Sequence, residues 1–196
     1  MNQAHKLLTT LLILFVIVIG STISHAQVPI SQNLKKSNPL YTNWAKFKPG
    51  TSVTLLTKVS NQGRELSSNQ QRMTLQSVSE SEVEIDVVTS AVLAGKPMTG
   101  STMKIRYSKF LTDQESAVGE ESTINSKVST GKDKLNLFNM DLACQWTKTV
   151  TEVSGTSTTI KNWTCDNIPG LTVKSSAEMA GGISTETTLV EVDIQK

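Results

Sequence analysis

Apolar and polar residues alternate along most of the chain beyond its first fifty residues, which is the pattern of half-buried β-strands. The clearest run is residues 82–87, where acidic side chains alternate with Val and Ile. Similar runs lie at residues 53–59, 73–75, 103–108, 135–137 and 171–175, and in a last strand with Thr188, Val190, Val192 and Ile194 on one face. Turns containing Gly or Pro separate several of these runs, so the pattern predicts an antiparallel sheet.

One short segment has a helical period instead. Asn38 can cap a helix, and the Pro that follows it suits the first helical position. Leu40, Trp44 and Phe47 then recur at the spacing of one helix face, and a Pro-Gly pair follows. The sequence therefore predicts a helix over residues 39–48 with these three side chains turned toward the sheet.

The remaining segments bound the predicted domain. Residues 27–37 are polar without a period, which indicates a flexible lead-in. Residues 112–134 are polar and mixed in charge, and they predict either a long loop or a weak edge strand. Residues 38–196 are then predicted to form one β-dominated α+β domain. Its expected architecture is a curved antiparallel sheet, half-barrel-like, packed on the short N-terminal helix.

Residues 1–26 have the pattern of a signal peptide. A Lys precedes an apolar run over residues 7–20, and Ser-His-Ala at 24–26 fits a small-x-small cleavage site. A transmembrane helix needs about 20 apolar residues, which is longer than this run; an uncleaved anchor is the alternative. We therefore expect an exported protein, periplasmic or secreted, that does not span the membrane once the signal is removed.

Composition excludes most catalytic and metal-binding chemistry from the predicted mature chain. Both histidines, His5 and His25, lie within the signal, which removes histidine-dependent triads and His-ligated metals. Two cysteines are too few for a thiolate zinc site. A net charge of +2 gives no field that would attract nucleic acid. We expect no metal, no cofactor, no nucleic-acid partner and no enzymatic activity.

Three carboxylates are the one arrangement that could serve catalysis. Glu82, Glu84 and Asp86 share a strand face, where alternate residues lie about 6.5–7 Å apart, a separation that suits an acid–base pair. The alternative is a solvated strand face. A hydrolase that uses carboxylates alone is the third functional hypothesis that the sequence allows.

A predicted hairpin around residues 154–155 aligns the most informative residues of the chain. In a two-residue hairpin the numbers of opposite residues have a constant sum, here 309. Trp146 and Trp163 satisfy that sum, and so do Cys144 and Cys165. One assumption thus places two cysteines and two tryptophans opposite each other on one face of the hairpin.

The cysteines are therefore expected to form a cross-strand disulfide in an oxidising compartment. Free, buried structural cysteines are the alternative. The same register places Lys148 opposite Lys161, a like-charge pair that argues against it unless the hairpin tip projects into solvent.

Aromatic and basic residues supply two candidate surfaces. Four of the few aromatic residues either pack in the core or line an apolar concave pocket: Trp44, Phe47, Trp146 and Trp163. No acidic residue precedes Glu65, so the N-terminal region of the mature chain is basic. Its candidate patch could meet anionic lipids or envelope polymers, with ordinary solvated lysines as the alternative: Lys35, Lys36, Lys46 and Lys48.

Two motifs resemble a group of exported bacterial proteins. One is W-x-x-F-x-x-G at Trp44, Phe47 and Gly50. The other is a C…W…P-G-x-x-V-K signature at Cys144, Trp163, Pro169, Gly170, Val173 and Lys174. Such proteins are similar at fold level to lipoprotein carriers, in which a half-barrel sheet wraps around helices. The resemblance implies an apolar concave face and a role in carrying or sensing an apolar ligand in the cell envelope.

Two functional hypotheses lead. The first is a non-catalytic binding module for an apolar small molecule, a lipid or an acyl chain. The second is an envelope interaction or structural protein with a filled core, which binds a protein or an anionic polymer through its basic N-terminal region or an open sheet edge.

Overall fold

The computed structural model describes residues 36–111, 125–153 and 155–195, so the predicted signal, Lys35 and most of the lead-in lie outside the described residues. The elements are α1 (Pro39–Trp44), β1 (Ser52–Asn61), β2 (Arg64–Val78), β3 (Glu82–Leu93), β4 (Lys96–Ser108), β5 (Asn125–Leu137), β6 (Met140–Val153), β7 (Thr156–Thr164), β8 (Thr172–Met179) and β9 (Ile183–Asp193).

The nine strands form one open, curved sheet with the order β4-β3-β2-β1-β9-β8-β7-β6-β5. Every neighbouring pair is antiparallel. Each strand pairs with the next one along the chain except at β4, because β4 and β5 are the two edges of the sheet, and at β9, which pairs with β1. The predicted class, a β-dominated α+β fold with a half-barrel-like antiparallel sheet and one short helix, is confirmed.

The helix is shorter than the predicted 39–48. It begins as expected, because the side chain of Asn38 accepts a hydrogen bond from the N–H of Leu40 and Pro39 follows the cap. It ends at Trp44. The next turn is tighter than an α-helix, since the backbone N–H groups of residues 46 and 47 donate to carbonyls three residues back.

The buried face of α1 also differs from the predicted one. Trp44 is 1% exposed, as expected, but Tyr41 and Asn43 fill the other buried positions, and Leu40 is only partly buried. Tyr41 is buried because its hydroxyl forms hydrogen bonds there: it donates to the carbonyls of Ser79 and Glu80 at the β2–β3 turn, 2.9 and 3.2 Å away. The helix therefore contributes hydrogen bonds as well as apolar surface.

One side of the sheet carries the apolar residues that pack against α1, and we call it the helix face. The predicted alternation in β3 is confirmed, because Val83, Ile85 and Val87 are at most 1% exposed. Val53 and Leu75 of the neighbouring strands are buried with them. The opposite side of the sheet is called the outer face.

The face predicted for the last strand is wrong. In β9 the deeply buried residues are Thr185, Thr187 and Leu189 rather than the even-numbered set. A register shift between Thr54 and Leu55 of β1 leaves Val190 as an extra residue, which reverses the face of the strand before it. For residues 125–134 the edge-strand alternative is correct, since they belong to β5.

The predicted strand at residues 171–175 begins one residue later than expected. Leu171 has a φ of 66°, a left-handed conformation that no strand residue adopts. β8 therefore starts at Thr172, and Val173 and Ser175 face the interior as predicted.

Candidate functional site

The hairpin of β6 and β7 has the predicted register. Trp146 lies opposite Trp163, and Gly155, with a φ of 76°, provides the turn. Cys144 and Cys165 form a disulfide with a Cα–Cα separation of 4.5 Å, and they are 3% and 2% exposed. The disulfide prediction is confirmed, and the alternative of free cysteines is wrong.

The like-charge pair in this register is real, and the structure shows how it is tolerated. Lys148 does lie opposite Lys161. The ammonium of Lys161, however, sits over both indole rings, 4.5 Å from the Trp146 centroid and 4.4 Å from the Trp163 centroid. Its charge is thus held by cation–π attraction along the hairpin. A projecting tip is not the only way to accommodate two facing lysines.

The tryptophan pair lies on the outer face. Trp163 is opposite Lys174 and therefore shares its face of the sheet. The two neighbours of Lys174 along β8, Val173 and Ser175, are buried on the helix face, so Lys174 and Trp163 lie on the outer face. The indole N–H of Trp163 donates to Asp133 of β5 at 3.3 Å. These contacts join β5, β7 and β8 across the outer face.

Trp146 also covers a glycine on the neighbouring edge strand. Gly131 lies opposite Trp146, and a methyl group added at Gly131 would lie 2.5 Å from a ring carbon of that indole. The ring therefore occupies the space that a side chain at position 131 would need. An aromatic residue that covers a strand glycine supplies the packing that the glycine lacks.

Trp44 and Phe47 lie apart from the hairpin tryptophans, around α1. Trp44 lies beside Gly170, where an added methyl group would come into ordinary contact with the indole at 3.4 Å. Trp44 and Trp163 are buried core residues, and Phe47 and Trp146 pack against that core. A pocket-lining role for these four residues stays a prediction.

Asn43 fixes the turn that follows β7. Its amide donates to the carbonyl of Asp166 at 3.1 Å and its side-chain oxygen accepts from the N–H of Gly170 at 2.8 Å. Asn43 is 1% exposed, so its own ends of these part-buried hydrogen bonds are shielded from water. Together with Tyr41 at the β2–β3 turn, it ties α1 to two separate turns of the sheet.

The predicted basic patch is only partly described. Lys36, Lys46 and Lys48 are exposed, and within the described ranges none of them forms an ion pair. Their spatial freedom is compatible with an anionic partner, but the patch stays a prediction.

Among the three carboxylates, Glu84 is the one that accepts hydrogen bonds from cationic side chains. Lys104 and Arg106 donate to it at 2.9 and 3.0 Å. These hydrogen bonds, that from Lys104 first, lower the pKa of Glu84 below its ordinary value. A carboxylate held in this way is a poor proton donor at neutral pH. Asp86, the nearest neighbour on that strand face, lies 3.8 Å from the same lysine.

The feature that the sequence did not predict is a line of uncharged polar side chains across the helix face. Successive strand pairings place each member opposite the next. We call it the polar row, from β2 to β5: Asn69, Thr57, Thr187, Ser175, Asn162, Thr147 and Thr130. The row crosses β1 four residues beyond Val53. It therefore lies about 13 Å from the apolar end of the helix face.

Hydrogen bonds link members of the polar row in pairs. The hydroxyls of Thr57 and Thr187 are 2.9 Å apart, and Ser175 donates to Asn162 at 2.6 Å. Thr187 and Ser175 are 6% and 4% exposed. A hydroxyl keeps further donor or acceptor capacity after one such bond, so the row can still bind a polar group.

Asn69, at the β2 end of the row, is incompletely paired. Its side-chain oxygen, Oδ1, is buried and accepts no hydrogen bond. Thr57, directly opposite, is bonded to Thr187, and Ala91 on the other side has no donor in its side chain. The row therefore ends in a free acceptor.

Apolar side chains flank the polar row. On the helix side, Leu55 lies opposite Leu189. On the far side, the next line across the sheet mixes apolar and hydroxyl side chains, and we call it the flanking row: Ser67, Val59, Thr185, Ala177, Ile160, Thr149 and Val128. Because apolar side chains lie on both sides of the polar row, this part of the helix face is amphipathic.

No family model matches the chain, and no curated protein matches it. Three solved structures are similar to it at low sequence identity. A protein from Bacteroides fragilis, described as exported with a YmcC-like fold, has 11% identity and a TM-score of 0.44 over 75% of this chain and 97% of its own. A protein from Parabacteroides distasonis, described as a lipoprotein, has 10% identity and a TM-score of 0.41 over 74% and 97%.

The third is a domain from Vibrio parahaemolyticus described as an outer membrane lipoprotein-sorting protein. It has 10% identity and a TM-score of 0.30, over 81% of this chain and 91% of its own. All three TM-scores are below 0.5, so a function must be argued from the chain's own geometry. Within the described ranges, no helix has the length and hydropathy required to cross a bilayer.

Proposed function

We propose that this protein is a non-catalytic binding module that holds an amphipathic ligand of the lipid class on its helix face. The observation that carries the proposal is the polar row, set between apolar side chains on a part of the sheet about 13 Å from the α1 end. A polar headgroup would lie on the row, and acyl chains would lie on the flanking row.

The chemistry of the face supports an amphipathic rather than a purely apolar ligand. Covering hydroxyl and amide groups with hydrocarbon alone is costly unless each keeps a hydrogen-bond partner. Val59, Ala177 and Ile160 offer apolar contact only two residues away along their strands. A molecule with one polar end and one apolar end satisfies both strips.

We place this activity outside the cytoplasm. A disulfide persists in oxidising compartments, and that between Cys144 and Cys165 is buried and intact. The signal-like residues 1–26 fit the same location. The ligand is therefore expected to be an envelope lipid or a lipid in transit through the envelope.

Native mass spectrometry of protein purified from its native envelope tests the proposal, followed by lipid analysis of any released ligand. Ala177→Phe introduces a ring into the flanking row, whereas Ser176→Phe places the same ring on the outer face of the same strand. We expect a stoichiometric adduct in the wild type and in Ser176→Phe, and its loss in Ala177→Phe.

Two results would contradict the proposal: a bare polypeptide mass at high yield, or an adduct that Ala177→Phe retains. Ala177 is 5% exposed, so its replacement can disturb folding. Thr149→Phe, at a half-buried position opposite Ile160, fills the same row and replaces it if Ala177→Phe does not fold.

A second candidate function is recognition of an anionic partner by the basic N-terminal region. The observation in its favour is that Lys46 and Lys48 are exposed and form no ion pair in the described part of the chain. Binding to anionic vesicles should then weaken steeply with salt. It should also be lost when Lys36, Lys46 and Lys48 are changed to Gln, with the lipid adduct unaffected.

A further inference from the structure

We propose that the ligand on the helix face donates a hydrogen bond to Oδ1 of Asn69, and that it is a neutral lipid whose headgroup carries a hydroxyl or an amide N–H. This inference rests on the proposed function and narrows its ligand class. It starts from the one acceptor in the polar row that is buried and unpaired.

A buried acceptor without a partner is costly, and native proteins satisfy the large majority of buried side-chain polar atoms. Within the row, Thr57 lies opposite Asn69, but its hydroxyl is bonded to Thr187 and no hydrogen bond joins it to Oδ1 of Asn69. Asn69 is half-buried as a residue, and in its observed orientation the amide leaves Oδ1 without a donor. A ligand that packs against this side chain and carries a donor would supply the missing hydrogen bond.

The identity of the atom decides what the ligand must supply. An amide oxygen only accepts, so the ligand must present an O–H or N–H. An ester or a carboxylate presents acceptors alone and would face Oδ1 unfavourably. The polar row is also uncharged, so it offers no counterion for an anionic headgroup that loses its water. Acylglycerols and N-acyl amides meet both conditions, and free fatty acid anions meet neither.

Paired probes with the same acyl chain test the inference by calorimetry on delipidated mature protein: monooleoylglycerol, which has two hydroxyls, against methyl oleate and oleate, which have none. We expect monooleoylglycerol to bind about tenfold more tightly than methyl oleate, the effect of one hydrogen bond. Asn69→Leu should abolish that preference and leave the affinity for methyl oleate unchanged. Gln70→Leu, the next residue along β2 and exposed, should preserve it.

A measurement without ligand checks the starting point. Replacing an unpaired buried acceptor by an apolar side chain of similar size should not lower the urea midpoint of the delipidated protein, and is expected to raise it. A clear loss of stability in Asn69→Leu would mean that Oδ1 has a partner, and would overturn the inference. If Asn69→Leu does not fold, Asn69→Ala removes the amide without adding bulk to the row.

The outcomes separate this inference from the proposed function. If the wild type binds all three probes equally and Asn69→Leu binds like the wild type, the donor requirement is wrong while the binding module stands. If no probe binds the wild type and no envelope lipid copurifies, the proposed function itself fails.

Discussion

The contact between Trp146 and Gly131 leads to a prediction about stability. Whether a side chain at position 131 stabilises or destabilises the protein should depend on the residue at position 146 of the next strand. Gly131→Ala should destabilise the wild type by about 1–3 kcal/mol, the usual cost of forcing a methyl group into filled space. The new Cβ would lie 2.5 Å from the indole, and the ring cannot move freely because Lys161 lies over it. In a Trp146→Thr background the same change should stabilise by about 0.5–1 kcal/mol, because Gly is a poor strand residue.

The change from destabilising to stabilising is expected because the backbone at Gly131 suits any residue. Gly131 is not among the glycines with a positive φ, the conformation that L residues rarely adopt. The four proteins of this double-mutant cycle are compared by urea unfolding with the disulfide intact, and followed by far-ultraviolet circular dichroism because one tryptophan is removed. The coupling energy should be about 1.5–4 kcal/mol. A neutral or stabilising Gly131→Ala in the wild type would refute the contact. Equal destabilisation in both backgrounds would show that the backbone, not the ring, requires glycine.

Three further predictions follow from other contacts. Asn43→Leu removes the side-chain partner of two part-buried backbone groups of the 166–170 turn and should cost about 1–3 kcal/mol in urea unfolding, whereas Lys46→Gln on the exposed side should be neutral. Reducing the disulfide, or changing Cys144 and Cys165 to Ser, should cost about 3 kcal/mol for a sequence separation of 21 residues; a loss below 1 kcal/mol would contradict this. Burial raises the pKa of Tyr107 above its ordinary value, so its contribution to stability is complete below about pH 10 and is lost as pH rises further. Tyr107→Phe should remove that part of the alkaline loss in pH-dependent thermal unfolding.

The hairpin could be predicted from sequence because its information is local. A two-residue turn fixes every pairing that follows it, and four uncommon residues in matching positions test that register without any knowledge of the rest of the sheet. Trp146 opposite Trp163 and the disulfide confirm it. The cation–π position of Lys161 was not predictable in this way, because it depends on side-chain torsions rather than on register.

The helix shows what local pattern leaves out. The 3.6-residue period selected Leu40 because it is apolar, but Tyr41 and Asn43 are buried since their polar groups satisfy backbone atoms of distant turns. A residue that is buried because of a hydrogen bond to a partner far away in sequence does not follow the helical period of apolar residues. The start of α1 was predictable for the opposite reason, since the Asn38 side chain caps the N–H of Leu40 two residues later.

The same bulge explains the wrong face predicted for β9 and the place of Thr187 in the polar row. Val192 lies opposite Val53, and an unbroken register from there would place Thr188 opposite Thr57. The extra residue, Val190, moves Thr187 into that position instead, and its hydroxyl reaches Thr57 at 2.9 Å. Since a shift of one residue turns every side chain to the other face, the bulge decides that Thr187, and not Thr188, is the β9 member of the row. A site assembled from one residue on each of seven strands thus depends on backbone irregularities that a hydrophobic pattern does not reveal.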